Sequence, residues 1–236
     1  MQSLWKDAGS AIEVVRLEET GEIEDMVRLF EIVAHEQSWQ PGEALRLWRH
    51  RSLYFALQVP EQVESEPRMQ RGKLADGRLA GGLQLVLPDT LGLLPCHDLW
   101  PEVPSGGKGR AAHVAMLAVD AEFRGHSQFF WHLAVEMWRA CVAEGITTLL
   151  IEVTPRVLPL YRRLGWPLHI RGEARLHWGE ECYLCALGIP EVAHVILERA
   201  ETSHYYRQIA AQAFRVTLVA NGGTIETAKT AQIAAA

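Results

Sequence analysis

The chain has 236 residues, of which 48% are hydrophobic, and a formal net charge of −6 at pH 7. This size allows a single domain with a sizeable core, and the acidic balance argues against sequence-independent binding to nucleic acid, which requires a basic stripe. Apolar runs stay well short of 18 residues, and the first ten residues lack the apolar segment of a signal peptide. We therefore expect a cytoplasmic protein without a membrane span.

The spacing of apolar residues in the N-terminal third predicts strands and helices in alternation, followed by a hairpin. In chain order these elements cover Ala11–Leu17 (strand), Gly21–Ala34 (helix), Ala44–His50 (helix), Tyr54–Val59 (strand) and the two strands that flank Ala75–Arg78. The hairpin is predicted because an Asp-Gly pair tolerates the positive φ of a two-residue turn. Residues 61–67 are polar, and we expect them to form an exposed loop.

The next segment, Pro88–Arg110, is rich in proline and glycine. It also carries four side chains of the kind found in cores, namely Leu94, Cys96, Trp100 and Val103. This apolar content is not typical of a disordered linker, so we expect an ordered excursion that covers or lines another part of the protein. Its last part, residues 105–110, is expected to be mobile.

The central stretch predicts a strand, a polar loop, a long helix and a second strand. Ala111–Val119 is an apolar run of strand length, Phe123–Ser127 is the loop, and the helix runs from Gln128 to Gly145. Thr147–Val153 is aliphatic and β-branched, as in a buried strand. This order is typical of a β-α-β unit, and the loop between the first strand and the helix is the natural place for chemistry.

The loop has the residue types of an anion site. The first N–H groups of a helix lack partners within the helix and favour negative charge. Arg124 adds a cation, Gly125 lets the backbone approach a ligand closely, and Ser127 can cap the helix. The alternative is a solvated turn without a ligand.

The remaining elements are a short helix near Leu158, two strands, and a final helix that starts at Pro190. The strands cover Pro167–Arg175 and Glu181–Leu187. The whole order predicts a mixed α/β fold with a late crossover, in one domain over residues 1–220. Residues 221–236 are expected to be a disordered tail.

Two of the four cysteines, Cys182 and Cys185, have the CxxC spacing but lie in a run that predicts a strand. Residues three apart on a strand point to opposite faces. We therefore expect two core cysteines in place of a metal or redox site.

Two motifs resemble signatures of the GNAT acyltransferase superfamily. One is Val119-x4-Arg124-Gly125, which resembles its pyrophosphate loop, and the other is Tyr161-Arg-Arg-Leu-Gly165-Trp166, which resembles its "YxxxGF" element. The resemblance implies a twisted, mixed central sheet flanked by helices.

Two longer stretches resemble the acyl-homoserine-lactone (autoinducer) synthases and the related N-acyl amino acid synthases. Leu85–Pro88 with Leu94–Val103 resembles the autoinducer synthases' "RLLP…FPEL" region, and Arg163–Glu181 resembles their ending "RxGWPLxxxGxxxxxGxE". Together the likeness covers about Leu79–Pro190. It implies an enzyme of autoinducer (quorum-sensing) type, which passes an acyl group from acyl-CoA or acyl-carrier protein to the amine of an amino acid or an S-adenosylmethionine-like acceptor, without a metal.

The resemblance also implies roles for particular residues. Tyr161 matches the general acid of the superfamily, while His113 and Glu152 are candidates for the base. Backbone N–H groups near Leu117 and Val119 would hold the thioester carbonyl. The donor's phosphates would lie on the loop and the start of the helix, at Arg124, Gly125, His126, Ser127, Gln128 and Phe129.

The chain departs from the autoinducer synthases at several positions. Phe129 stands where a small residue is usual and would narrow the pyrophosphate channel, and His113 and Met116 replace an acidic residue and an arginine. Three readings stay open: the autoinducer-type enzyme, an ordinary acetyl-CoA-dependent N-acetyltransferase, and an inactive member that binds an acyl ligand or a partner. His113 could equally be a core histidine, Glu152 a structural carboxylate, and Tyr161 a packing residue.

Overall fold

The computed structural model describes residues 12–41, 48–59, 73–74, 77–104, 110–125 and 127–214. The predictions for residues 61–67, 105–109 and 221–236, and most of the helix predicted over 44–50, lie outside these residues. Contacts within the chain define two compact units. The first comprises Met1–Leu87 and Val114–Glu136, and the second comprises Pro88–His113 and Met137–Ala236.

The first unit is built on antiparallel strands with one long helix. Its elements are β1 (Glu13–Leu17), α1 (Thr20–Glu36), β2 (Ser52–Val59), β3 (Lys73–Leu74), β4 (Gly77–Val86), the end of β5 (Arg110–Val119) and the start of α2 (Ser127–Ala143). Strands β1, β2 and β4 are adjacent in that order, and β5 follows β4. The apolar face of α1 is buried, including Met26, Phe30 and Val33, because these positions recur at helical spacing.

The second unit contains the beginning of β5 and the rest of the elements. These are β6 (Ile146–Val153), α3 (Leu158–Arg163), β7 (His169–Ile170), β8 (Arg175–His177), β9 (Glu180–Gly188), α4 (Ile189–Thr202) and α5 (His204–Phe214). Strand β6 lies between β5 and β9, and β9 pairs antiparallel with β6, β7 and β8. The β-α-β order over β5, α2 and β6 is confirmed.

The apolar excursion is ordered over residues 88–104. Its four core-type side chains are buried, and they share one cluster with Leu150 and Leu184. Cys182 belongs to this cluster as well, and both Cys182 and Cys185 are buried free thiols. The predictions of an ordered excursion and of core cysteines are therefore confirmed.

Two boundaries differ from the predictions. Gly77, predicted as part of the hairpin turn, begins a strand and pairs with Leu74, while residues 75–76 lie outside the described part. The single C-terminal helix is wrong: Ser203 adopts extended geometry with φ −122° and ψ 117°, which separates α4 from α5. Its N–H donates to Arg199 and its carbonyl accepts from Arg207, so Ser203 ends one helix and starts the next.

None of the helices in the described ranges is both long and apolar enough to cross a membrane. Within the same ranges, no three His, Cys, Asp or Glu side chains are arranged to bind a metal ion.

Candidate active site

The predicted anion loop lies in the first unit and is shaped by its own side chains. Asp120 is buried and accepts a hydrogen bond from the N–H of Glu122 at 3.0 Å, which starts a tight turn after β5. Gly125 follows with φ +91°, a value that favours glycine, and nothing lies within 4 Å of where its Cβ would be. The backbone there is open to a ligand, as the sequence predicted.

Arg124 is held in place at this loop. Its Nε donates to the carbonyl of Val119 at 2.8 Å, and its Nη2 lies 2.8 Å from a carboxylate oxygen of Glu36. The Arg124 side chain is 36% exposed. A phosphate at Gly125 would therefore meet a cation that is already oriented but shares its charge with an acidic neighbour.

The other predicted loop residues are placed as follows. Phe129 is buried and packs edge-on against Phe123, with ring centroids 5.3 Å apart, so its bulk is taken up by packing. Leu117, Val119 and Gln128 are half-buried. His126 lies outside the described residues, and of Ser127 the structure describes only the backbone, which begins α2.

In the second unit the structure brings His113 and Glu152 together and adds a third residue, His177. Oε2 of Glu152 lies 2.7 Å from Nδ1 of His177, and Oε1 lies 3.4 Å from Nε2 of His113. The three side chains come from three strands, β5, β6 and β8. They are buried to different degrees, with 3% of the His113 side chain, 11% of Glu152 and 20% of His177 exposed.

The environment of Glu152 keeps it ionised. Burial by itself raises the pKa of this carboxyl, but the two nearby imidazoles, His113 first and then His177, more than offset it and bring the pKa down to about 2. A carboxyl with such a pKa is a poor proton acceptor near neutral pH. The geometry thus favours Glu152 as the group that orients the histidines over Glu152 as the base.

An ionised carboxylate only accepts hydrogen bonds, so it selects the tautomers of its partners. In the neutral form, each imidazole carries its proton on the nitrogen that faces Glu152. That leaves Nδ1 of His113 with a lone pair. Neither ring nitrogen of His113 makes a well-formed hydrogen bond within the described part of the chain. A buried acceptor of this kind is costly unless a ligand or water supplies a donor.

The motifs that resemble autoinducer synthases meet around Trp100, next to this cluster. The Trp100 indole N–H donates to the carbonyl of Glu173 at 2.8 Å, and its ring meets His177 edge-on, with centroids 6.4 Å apart. A side chain at Gly172 would overlap the indole. Arg175 and Glu102 form an ion pair at 2.7 Å. The excursion and the β8 strand therefore hold each other in place.

Tyr161 belongs to an aromatic row in the same unit. Its ring centroid lies 5.2 Å from that of Trp166, which in turn lies 5.5 Å from that of Trp138. Burial raises the pKa of the Tyr161 hydroxyl to about 12, so it remains protonated at neutral pH. The end of its helix is fixed by Arg199, which donates to the carbonyl of Arg163 at 3.1 Å.

The sequence profile of the N-acyl amino acid synthase FeeM family matches residues 71–176. These residues include the anion loop, Tyr161 and Trp166 of the aromatic row, and His113 and Glu152 of the buried cluster. The match supports an acyltransferase with a GNAT-like fold. The chain resembles the branch of N-acyl amino acid and autoinducer synthases, as its motifs predicted.

Solved structures show the same fold for the acyltransferase. FeeM, an N-acyl amino acid synthase from uncultured soil microbes, superposes with a TM-score of 0.63 at 15% identity, over 82% of this chain and 99% of FeeM. The acyl-homoserine-lactone synthase LasI superposes with a TM-score of 0.55 at 15% identity, over 76% of this chain and 90% of LasI. BjaI is a CoA-dependent acyl-homoserine lactone synthase whose structure was solved with SAM and isopentyl-CoA. It superposes with a TM-score of 0.55 at 15% identity, over 83% of this chain and 92% of BjaI. No curated protein sequence matches the chain.

Sequence reasoning missed His177 in this acyltransferase. It precedes a tight turn at Trp178-Gly179, where φ is +50° and +93°. The sequence carries no signal that this histidine contacts Glu152, which lies 25 positions earlier. Only the pairing of β6 and β8 with β9 brings the two side chains together.

Proposed function

We propose that this acyltransferase moves an acyl group from a thioester to the amine of an amino acid or an S-adenosylmethionine-like acceptor. In the reaction the C–S bond of the thioester breaks and an amide C–N bond forms. The amine loses a proton and the departing thiolate gains one. The family match, to N-acyl amino acid synthases, supports an amino acid as acceptor, and the CoA-dependent relative BjaI supports an acyl thioester as donor.

The observation that carries the proposal is the buried His113–Glu152 pair. We assign the base to His113, because its Nδ1 has a lone pair and no well-formed hydrogen bond within the described residues. When the ring takes the proton from the attacking amine, Glu152 stabilises the imidazolium that forms. This revises the sequence-based choice between the two residues: both take part, with His113 accepting the proton and Glu152 orienting it.

We assign the general acid to Tyr161, which matches the tyrosine of the GNAT signature. The raised pKa keeps its hydroxyl protonated and available to the departing thiolate. Its ring is fixed by Trp166, and its helix by Arg199, so the position of the hydroxyl is defined before substrate binds.

The donor's phosphates are assigned to the loop around Gly125, where the open backbone and the guanidinium of Arg124 suit an anion. A pyrophosphate of CoA and the phosphodiester of a carrier protein's pantetheine arm share this chemistry. The exposed residues Arg162 and Arg163 would favour an acidic carrier protein. Testing both donors distinguishes the two sources.

The test is an assay of thiol release. The protein is incubated with acyl-CoA and acyl-carrier-protein donors of several chain lengths and with a panel of amino acids and S-adenosylmethionine, and products are identified by mass. We expect thiol release that depends on the acceptor and yields an N-acyl product, slowed about 10-fold or more in Tyr161→Phe. Tyr205→Phe, on α5, is the matched control. Thiol release no faster than hydrolysis with every donor would overturn the proposal.

A further inference from the structure

We propose that His177 is a positioning residue: through its 2.7 Å contact with Glu152 it holds the carboxylate in the orientation that faces His113. The inference rests on the proposed function, in which His113 accepts the proton from the amine. His177 does not itself need to touch the substrate.

Each carboxylate oxygen of Glu152 contacts one of the two histidines. The 2.7 Å contact to Nδ1 of His177 is the length of a strong, charge-assisted hydrogen bond, whereas the contact to Nε2 of His113 is 3.4 Å. His177 therefore fixes the carboxylate, and His113 is the more loosely held partner.

The surroundings of His177 make it rigid. Its ring meets Trp100 edge-on and lies 4.6 Å from the centroid of Trp178 in the adjacent turn. The same short strand is tied to the excursion by the ion pair between Arg175 and Glu102. These contacts fix the direction of the imidazole, and Nδ1 is the nitrogen that faces Glu152.

The groups around Glu152 show why its contact with the His177 imidazole is important. Two thiols, Cys96 and Cys182, also lie close enough to feel its charge. Burial first, and the Glu152 charge second, raise their pKa to about 12 and about 11, so both stay neutral. Glu180 and Glu181 add negative charge near Cys182. Among the described residues that face Glu152, the favourable partners are thus the two histidines.

Loss of the His177 donor would leave Oε2 without this bond in a buried site. The pKa of Glu152 would then rise, and the carboxylate would stabilise the His113 imidazolium less well. The expected consequence is a loss in kcat with little change in the KM for the acyl donor.

Two variants separate this role from simple packing. His177→Asn places an amide N–H near the position of Nδ1, while His177→Gln places it near Nε2 and so removes the donor that faces Glu152. We expect kcat of the Gln variant to fall about 10- to 100-fold, with the KM for the acyl donor unchanged within about two-fold. The Asn variant should retain most of kcat. Equal losses of kcat in the two variants, or a loss in the Gln variant that lies in KM and not in kcat, would overturn the inference.

A second readout does not depend on turnover. In protein with ¹³C-labelled glutamate, the Glu152 carboxyl resonance is assigned by its absence in Glu152→Gln and followed as the pH is lowered. Its titration midpoint should move up by about one pH unit or more in His177→Gln and stay in place in His177→Asn. An unmoved midpoint in the Gln variant refutes the inference. Absence of turnover in the wild type refutes the proposed function but leaves this measurement decisive for His177.

Discussion

The anion loop of the first unit and the buried cluster of the second unit both pair charged groups, but they differ in exposure. Arg124 and Glu36 meet at 2.8 Å near solvent, whereas Glu152 lies between two histidines with 11% of its side chain exposed. Exposed pairs of this kind contribute about 0–1 kcal/mol to stability, because water and salt screen them. Burial of a charged group costs several kcal/mol in lost hydration, and the interactions with its partners must offset this cost.

Of the two regions, the buried cluster carries the larger cost of desolvation. The loop resembles the GNAT signature in sequence, and its arginine is held by an ion pair near solvent. The cluster keeps a buried carboxylate and a buried imidazole whose nitrogens lack well-formed hydrogen bonds among the described residues. Perturbed groups in buried positions concentrate at functional sites. The cluster is therefore the stronger candidate for the chemistry, and the loop for binding.

The largest effect is expected from Glu152→Gln, which removes the charge but keeps the shape. Without the carboxylate, neither the tautomer nor the imidazolium of His113 is stabilised, so we expect kcat/KM to fall about 100- to 1,000-fold. The control is Glu181→Gln, on the neighbouring strand, where the side chain is exposed. Comparable activity in both variants would contradict the assigned role.

The same variant tests the pH dependence of stability. The pKa of Glu152 in the fold, about 2, lies below its ordinary value of 4.5. Its stabilising contribution is therefore complete above pH 4.5 and is lost as the pH falls toward 2. In urea titrations across this window, the free energy of unfolding should fall less steeply for Glu152→Gln than for the wild type.

An intermediate effect is expected from Gly172→Ala, which tests the packing that holds the β8 strand. The new Cβ would overlap Trp100, so the indole or the loop must shift, at a cost of about 1–3 kcal/mol. Thermal unfolding should show a Tm lower by about 2–10 °C. Gly21→Ala is the matched control, since nothing lies within 4 Å of its Cβ position. Equal Tm values for the two variants would show that Trp100 accommodates the methyl group freely.

The smallest effect is expected from Arg124→Ala in the loop. Its ion pair is exposed, so we expect stability to change by about 0.5 kcal/mol or less and the KM for the acyl donor to rise a few-fold with kcat unchanged. Arg28→Ala on α1 removes a comparable exposed pair with Asp25 and should leave KM unaltered. A fall in kcat without a change in KM would move Arg124 out of the phosphate-binding role.

Much of the fold follows from local sequence. The apolar period of Ser127–Ala143 specifies a helix, the β-branched run of Ile146–Val153 a strand, and the order of the two with β5 a crossover. The break at Ser203 was missed, because apolar residues recur at helical spacing on each side of it and no proline or glycine marks the stop. The spacing of apolar residues predicts which face of a helix is buried, but it does not predict where one helix ends and the next begins.

The amino-acid order alone also indicated the acyltransferase resemblance, the anion loop and three catalytic candidates, because motif spacing and residue chemistry are local properties. The proposed choice of the proton acceptor among these candidates rests on the tertiary structure. A carboxylate selects tautomers only when the facing nitrogens and their distances are known, and these depend on strands 25 or more positions apart. His177 entered the site for the same reason: long-range strand pairing, which no short sequence window records, placed it there.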